Sequence, residues 1–173
     1  MASTIQQAKI AGLAAYFPSA TRADLLKFED VYELNRHRVY ALAFWMTDNE
    51  LAAEDLMRNV FIRVFASSLE PTTEIVDRAL ITELREISPL GVLTLRCGAC
   101  NQVLNVRRNI LRTHLERAVV QVPRTERLAF LLHDVEGYDH IRIGKLLGLN
   151  EAESHTAVHQ ARLRIRELVA QMN

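Results

Sequence analysis

The sequence predicts an all-α protein made of two small helical domains, the second of which is a helix-turn-helix. The 173 residues include only 6 glycines and 4 prolines, and the helix-forming residues leucine, alanine, arginine and glutamate are abundant. Apolar residues also recur at steps of three and four through most of the chain, which is the spacing of one helix face. The length suffices for one domain or for two small ones with cores of their own.

The N-terminal half divides into an extension, residues 1–22, and a helical domain, residues 23–88. Three helices are expected over residues 24–46, 49–66 and 74–87, because each range carries an apolar face. Thr47 followed by Glu50 has the form of a capping box at the start of the second helix. The segment Ser88-Pro89-Leu90-Gly91 ends the third helix.

Residues 89–121 are expected to form a connector with a CxxC turn and a basic helix, and residues 92–95 admit a short strand. Cys97 and Cys100 could supply part of a zinc site with His114, but four ligands would require a further histidine. We favour a turn with two reduced thiols over zinc or a redox pair. No metal or cofactor is expected. The remaining candidate histidines are expected to cap helices or face solvent, namely His133, His140, His155 and His159.

Residues 122–173 have the pattern of a helix-turn-helix. Ile143 and Leu147 share one helix face. Gly148 supplies the left-handed backbone that ends a helix, and Asn150 is a suitable N-cap for the next one. That next helix carries an apolar stripe of Ala157, Val158, Ala161, Ile165 and Leu168. A glycine turn between two such helices is a unit that reads DNA, although similar corners occur in helical proteins that bind none.

The charge balance predicts weak DNA binding by the C-terminal domain alone. The chain has 21 Lys+Arg against 21 Asp+Glu, and the domain is balanced as well. Affinity for DNA comes largely from neutralising phosphates, so a domain without a basic surplus binds weakly.

No apolar run reaches the length of a membrane span, and the apolar stretch at residues 10–17 does not have the form of a signal peptide. A cytoplasmic protein is therefore expected.

Two segments resemble bacterial sigma factors of the extracytoplasmic-function group. The first runs from Phe-Glu-Asp-Val-Tyr at residues 28–32 to Ala-Glu-Asp-Leu-Met-Arg-Asn-Val-Phe-Ile-Arg-Val-Phe at residues 53–65 and is similar to region 2. The second begins at Val122-Pro123 and ends with Gln-Ala-Arg-Leu-Arg-Ile-Arg-Glu at residues 160–167, and it is similar to region 4. The resemblance implies a transcription initiation factor that binds core RNA polymerase and promoter DNA and is controlled by an anti-sigma factor. No residue pattern indicates catalysis, so no enzyme is expected.

The resemblance also suggests which residues make these contacts. Four residues of the second helix would contact polymerase: Asp55, Arg58, Asn59 and Arg63. Nine residues of the helix-turn-helix would lie at DNA: Arg142, Lys145, Glu153, His155, Thr156, His159, Gln160, Arg162 and Arg164.

The chain departs from the family pattern where DNA would be touched. Glu153 and Ser154 occupy positions where Thr-Val is usual, Arg142 replaces an acidic residue, and Gly144 replaces an alanine. Usual basic residues are absent at three positions, namely His155, Ala157 and Gln160. Two alternatives therefore stay open. One is a divergent sigma-like regulator that acts through protein contacts and binds DNA weakly, and the other is a stand-alone helix-turn-helix regulator.

Overall fold

The computed structural model describes residues 15, 17–95 and 111–172, and the regular structure within these ranges is all helical, as predicted. A π-helical segment, Leu131–Val135, directly follows the helix that ends at Phe130. Residues 92–95 are irregular and do not form the strand that the sequence admitted. Cys97 and Cys100 lie outside the described residues. The helices are α1 (Arg22–Thr47), α2 (Glu50–Ser67), α3 (Thr73–Ile87), α4 (Arg112–Gln121), α5 (Arg124–Phe130), α6 (His140–Leu147) and α7 (Glu151–Gln171).

The chain divides into two compact units. The first comprises Met1–Phe44 and Asn49–Leu84, and the second comprises Trp45–Asp48 and Arg85–Asn173. The first unit therefore holds α2 with most of α1 and α3, and the second holds α4 to α7. The domain limits drawn from the sequence, residues 23–88 and 122–173, stay predictions. None of the helices in the described part is long and apolar enough to cross a membrane.

The turn between α1 and α2 differs from the predicted capping box. Thr47 is the last residue of α1, and Asp48 takes a positive φ of 54°. Asn49 is the N-cap of α2, since its side-chain oxygen accepts a hydrogen bond from the Ala52 amide at 2.9 Å. The prediction was wrong because Asn49, which is closer to the helix, provides the carbonyl oxygen that the first turn needs.

An aromatic cluster forms part of the core of the first unit. The rings of Phe28 and Phe65 stack with centroids 4.5 Å apart. Phe17 meets both edge-on, at 5.7 Å and 5.9 Å. Offset and edge-on pairs of this kind stabilise beyond the area they bury. The end of the predicted extension therefore packs with the helices that follow it.

A buried ion pair joins α1 to α3 in the first unit. Arg38 Nη1 donates to Asp77 Oδ1 at 2.6 Å, and Asp77 is only 3% exposed. The Arg38 Nη2 atom also donates to the side-chain oxygen of buried Asn35 at 2.9 Å. Because a buried carboxylate needs a compensating charge, these three residues act as one unit.

In the second unit, the long helix α7 packs against α4, α5 and α6. Its predicted apolar stripe is buried, and so is the facing stripe of α6. Leu147 is 1% exposed and Val158 is 2% exposed, which confirms the predicted packing of the helix-turn-helix.

Candidate nucleic-acid and protein interfaces

The corner between α6 and α7 is held by backbone hydrogen bonds that converge on one carbonyl. Gly148 has φ 76° and ψ 32°, the left-handed conformation predicted for it. The amides of Gly148 and Leu149 both donate to the Gly144 carbonyl oxygen, at 2.8 Å and 2.9 Å. These bonds satisfy acceptor capacity that the end of α6 would otherwise leave open.

Both helices of the corner begin with a capped first turn. The Asp139 carboxylate accepts from the Arg142 amide at 2.6 Å at the start of α6. At the start of α7, the Asn150 side chain accepts from the Glu153 amide and the Glu153 carboxylate accepts from the Asn150 amide, both at 2.8 Å. This is a complete capping box. The Glu153 carboxylate, unusual in the family pattern, therefore has a local structural role.

Gly144 lies against the backbone of the turn. A Cβ atom placed on it would be 2.6 Å from the Leu149 carbonyl oxygen. In sequence terms this glycine only weakens the helix interior relative to alanine. In the structure it permits a close approach between α6 and the residues that lead into α7.

One face of α7, its outer face, is open to solvent. Its exposed residues are spaced at four, four, three and four positions, as one helix face requires. From the N-terminal end they are Glu151, His155, His159, Arg162 and Arg166. The face thus changes from acidic through histidine to basic along the helix.

The other residues predicted to lie at DNA occupy three kinds of position. Lys145 is exposed, and Thr156 is partly exposed with its hydroxyl donating to the Ala152 carbonyl at 2.9 Å. Gln160 is only 7% exposed and Ala157 is fully buried, so neither position faces outward as the family pattern led us to expect. The position of Gln160 argues against its predicted DNA contact.

The predicted arginines are held by neighbouring groups. Arg142 lies over the ring of Tyr138, with its guanidinium carbon 3.9 Å from the ring centroid. Arg162 is bidentate on Asp134, with Nε 2.9 Å from Oδ2, and this bond raises the pKa of Arg162. Arg164 pairs with Glu167 one turn later at 3.2 Å. Arg162 lies on the exposed face of α7, but the Asp134 carboxylate partly neutralises its charge.

Three histidines stack where the π segment, α6 and α7 meet. The ring centroids of His133 and His140 are 4.3 Å apart, and those of His140 and His155 are 3.5 Å apart. His133 Nδ1 donates to the Tyr138 carbonyl oxygen at 2.8 Å, and His140 Nδ1 lies 3.1 Å from the hydroxyl oxygen of buried Ser154. The described residues contain no cluster of three or more His, Cys, Asp or Glu side chains able to hold a metal ion.

The central ring of this histidine stack favours its neutral form. Burial is the main cause that lowers the pKa of His140, and the neighbouring His155 and His133 lower it further. Glu151 acts in the opposite direction, and Arg162 in the same direction as the histidines. The first turn of α6, where His140 lies, also disfavours a cation through the helix dipole.

In the first unit, the predicted polymerase contacts lie along α2. Asp55 and Arg58 form an ion pair at 2.7 Å, and their side chains are 63% and 61% exposed, as predicted. Asn59 is exposed on the next position. Arg63 donates to Glu83 of α3 at 2.5 Å, so this arginine also links two helices.

An apolar cleft lies beside Arg58 on the same unit. Its volume is about 240 Å³, and it is lined mostly by aromatic and aliphatic side chains: Phe17, Tyr32, Met57, Arg58, Phe61, Ile62 and Phe65. An exposed charged pair next to an apolar depression is the composition typical of a protein-binding surface.

Sequence reasoning missed an anchor in the second unit. The carboxylate of Glu126, 1% exposed, accepts from the amides of Thr94 and Leu95 at 2.6 Å and 2.7 Å. The Gly91 amide donates to the Thr125 hydroxyl at 3.2 Å. The only sequence signal is an acidic residue in the first turn of a helix, which normally indicates a dipole effect and no distant partner.

Comparison with known proteins finds similarity to sigma factors. The family model described as "Sigma-70, region 4" matches residues 112–165. The chain is 25% identical to the ECF RNA polymerase sigma factor SigE of Mycolicibacterium smegmatis over 174 residues, which cover 92% of this chain and 68% of that protein. It is 24% identical to the RNA polymerase sigma factor CarQ of Myxococcus xanthus over 170 residues, covering 84% and 90%.

A solved structure has a similar fold. The sigma factor RpoE, crystallised with the anti-sigma factor NepR from Bartonella quintana, aligns with a TM-score of 0.57 at 15% identity, over 82% of this chain and 95% of that one. The match to sigma-70 region 4 covers α4 to α6 and most of α7, so the helix-turn-helix lies within it. The chain as a whole is similar to sigma factors of the extracytoplasmic-function group, which confirms the resemblance drawn from the sequence.

Proposed function

We infer that this chain is a transcription initiation factor of the extracytoplasmic-function type, which binds core RNA polymerase and directs it to promoters. The observation that carries this inference is the capped helix-turn-helix with an exposed polar face on α7, within a match to sigma-70 region 4. We propose that it acts by binding, without catalysing a reaction, and that it works in the cytoplasm with the polymerase.

The proposed polymerase contact is the exposed face of α2 around Asp55 and Arg58. An ion pair this exposed contributes at most about 1 kcal/mol to folding, so both side chains are available to a partner at small cost. Asn59 and the exposed part of Arg63 extend the same surface.

The proposed DNA contact is the outer face of α7 with the adjoining end of α6. It includes His155, Thr156, His159 and Arg162, with Lys145 and Arg142 from α6. Glu153 lies at the same end but serves the capping box, and Arg164 is partly engaged by Glu167. We propose that phosphates are met by Arg and Lys, and that histidine and threonine meet base edges.

A test of the whole proposal is initiation from a genomic promoter library by core polymerase supplemented with the purified chain. Specific transcripts are expected, and their absence together with no co-purification of core polymerase would refute the proposal. For the contact on α2, Asp55→Ala and Arg58→Glu should weaken core binding while the melting temperature stays unchanged. The exposed Leu51→Ala variant, near the start of the same helix, is the control and should bind core polymerase as the parent does.

One observation favours a divergent regulator that works through protein contacts: exposed Glu151 stands at the N-terminal end of α7, where it opposes phosphates. Core binding without promoter-directed transcripts would support that alternative, and DNA binding without core binding would support a stand-alone regulator. We also propose an anti-sigma factor as a partner, because the similar RpoE structure contains one. Co-purification of a small partner that blocks core binding would test this.

A further inference from the structure

We propose that Tyr138 is a positioning residue, which holds the Arg142 side chain ready for a phosphate contact when the helix-turn-helix binds DNA. This inference rests on the DNA-binding part of the proposed function, in which Arg142 is one of several basic residues at the duplex. The guanidinium carbon of Arg142 lies 3.9 Å from the centroid of the Tyr138 ring. An aromatic ring at this distance attracts a guanidinium without neutralising its charge.

The Tyr138 ring is held in place by its own backbone and by burial. The Tyr138 amide donates to the Leu132 carbonyl oxygen at 2.9 Å, and the Tyr138 carbonyl oxygen accepts from His133 Nδ1 at 2.8 Å. Gly137, immediately before the tyrosine, has a φ of 73°, in the left-handed region that favours glycine. Tyr138 is only 9% exposed. The ring is therefore a fixed platform in the second unit.

Arg142 is directed onto this platform by the geometry of α6. It lies in the first turn of the helix, where its amide donates to the Asp139 carboxylate at 2.6 Å. Long side chains in a helix point back toward its N-terminus. Tyr138 precedes Arg142 by four residues and lies at that end, so the guanidinium reaches the ring in the normal direction of a helical arginine.

The stacked arrangement suits phosphate binding. A guanidinium contacts an aromatic ring through its flat face, whereas its N–H groups lie in its plane and donate to phosphate from the edge. In a helix-turn-helix, the first helix crosses the DNA backbone, which places α6 near phosphates. Arg142 is partly exposed, so it can contact a phosphate while the Tyr138 ring maintains the orientation of its side chain.

Positioning in advance strengthens binding because less freedom is lost when DNA arrives. The order that an interface imposes on one flexible side chain weakens binding roughly threefold to tenfold. Arg142 stands where the family pattern has an acidic residue, and the usual basic residues of α7 are absent at three positions. A well-placed arginine on α6 offsets part of the positive charge that α7 lacks.

The experiment measures binding of the full chain to a fluorescein-labelled DNA duplex of random sequence, because phosphate contacts do not depend on sequence. Fluorescence anisotropy gives the affinity between about 50 mM and about 200 mM salt. The slope of log K against log salt reports the number of phosphates contacted, at about 0.9 for each. Circular dichroism verifies that each variant is folded.

Single variants separate the ring from the charge. Tyr138→Leu keeps an apolar side chain but removes the aromatic face, and its affinity should fall roughly threefold to tenfold. Tyr138→Phe should bind as the parent does, because phenylalanine also attracts a cation. Arg142→Gln should bind more weakly, with a slope smaller by about 0.9. Arg142→Lys leaves the buried ring intact and keeps the charge, but it loses the planar stacked group and should therefore bind more weakly at a similar slope.

A double-variant cycle distinguishes positioning from a general effect on the fold. If Tyr138 acts through Arg142, Tyr138→Leu should cause no further loss of affinity in a chain that already carries Arg142→Gln. A merely structural role would give the same loss in both backgrounds. The matched control is Arg117→Gln, at an exposed arginine of α4 outside the proposed DNA contact, and it should keep the affinity and salt slope of the parent.

Equal affinity of Tyr138→Leu and the parent would overturn this inference, as would equal losses in both backgrounds of the cycle or no binding of the parent at the lowest salt. If Tyr138→Leu does not fold, Arg142→Lys decides: binding as tight as that of the parent would overturn the inference, and weaker binding at a similar slope would support it. The proposed function stands in each case if the chain still directs initiation from the promoter library. A chain that neither binds the duplex nor directs initiation would refute the proposed function and this inference together.

Discussion

Truncation of Leu147 to alanine tests the helix-turn-helix packing. This side chain is 1% exposed and lies at the end of α6, immediately before the left-handed Gly148. A buried leucine truncated to alanine costs about 2 to 5 kcal/mol, because transfer energy is lost and a cavity is left. We expect the upper half of this range, since the hydrogen bonds at the Gly144 carbonyl fix the turn and limit collapse into the cavity.

For a unit of this size, each kcal/mol lowers the melting temperature by about 4 to 8 °C. The Leu147→Ala variant should therefore melt at least about 14 °C below the parent in the transition that reports the C-terminal unit. The matched control is Ile141→Ala on the same helix, where the parent side chain is 54% exposed. Its change should stay within about 0.5 kcal/mol.

The assay is thermal unfolding followed by circular dichroism, with amide exchange to assign the transition to α6 and α7. Equal melting temperatures for Leu147→Ala and the parent would refute the packing of α6 against α7. A larger loss in Ile141→Ala than in Leu147→Ala would mean that the two faces of α6 have been assigned the wrong way round.

Three further outcomes are expected. Asp77→Ala should destabilise the first unit by about 3 to 5 kcal/mol in urea unfolding, because Arg38, whose side chain is only 16% exposed, loses the carboxylate with which it pairs; a loss below about 1 kcal/mol would contradict this. Glu126→Ala should accelerate hydrogen exchange at the Leu95 amide while exchange within α7 is unchanged, and unaltered protection of Leu95 would count against the anchor. The pKa of His140 is lower in the folded state than its value of about 6.5 in the unfolded chain. Its contribution to stability is therefore complete above about pH 6.5 and is lost as the pH falls through the lowered pKa. His140→Gln should flatten the decrease in melting temperature between neutral pH and about pH 5.

Features that depend on neighbouring residues could be predicted from the sequence. Gly148 and Asn150 act within one turn of their own positions, and the structure places both as predicted. The same local reasoning failed at Thr47, because two capping side chains compete within three residues and only the backbone course decides between them. The apolar stripes of α6 and α7 were predictable because burial follows helical periodicity.

Features that join distant segments could not be predicted. The acceptors and donors of the Glu126 anchor are more than thirty residues apart, and nothing in either segment signals the other. The histidine stack depends on a π-helical segment and a helix corner, which bring residues 133, 140 and 155 together without a common period. Gln160 was assigned to DNA by analogy with the family, and its burial became visible only with the packing of α7.

The Glu126 anchor affects how the protein can be dissected. A fragment that begins at residue 122, the boundary suggested by the sequence, would lack Thr94 and Leu95 and would leave the Glu126 carboxylate without these donors. It would also lack α4, which packs against α7. A fragment beginning near residue 85 keeps both. Weak DNA binding by the shorter fragment would thus reflect a damaged module as much as a weak interface. The longer fragment lacks only Trp45–Asp48 of the second unit and is therefore the better measure of that unit.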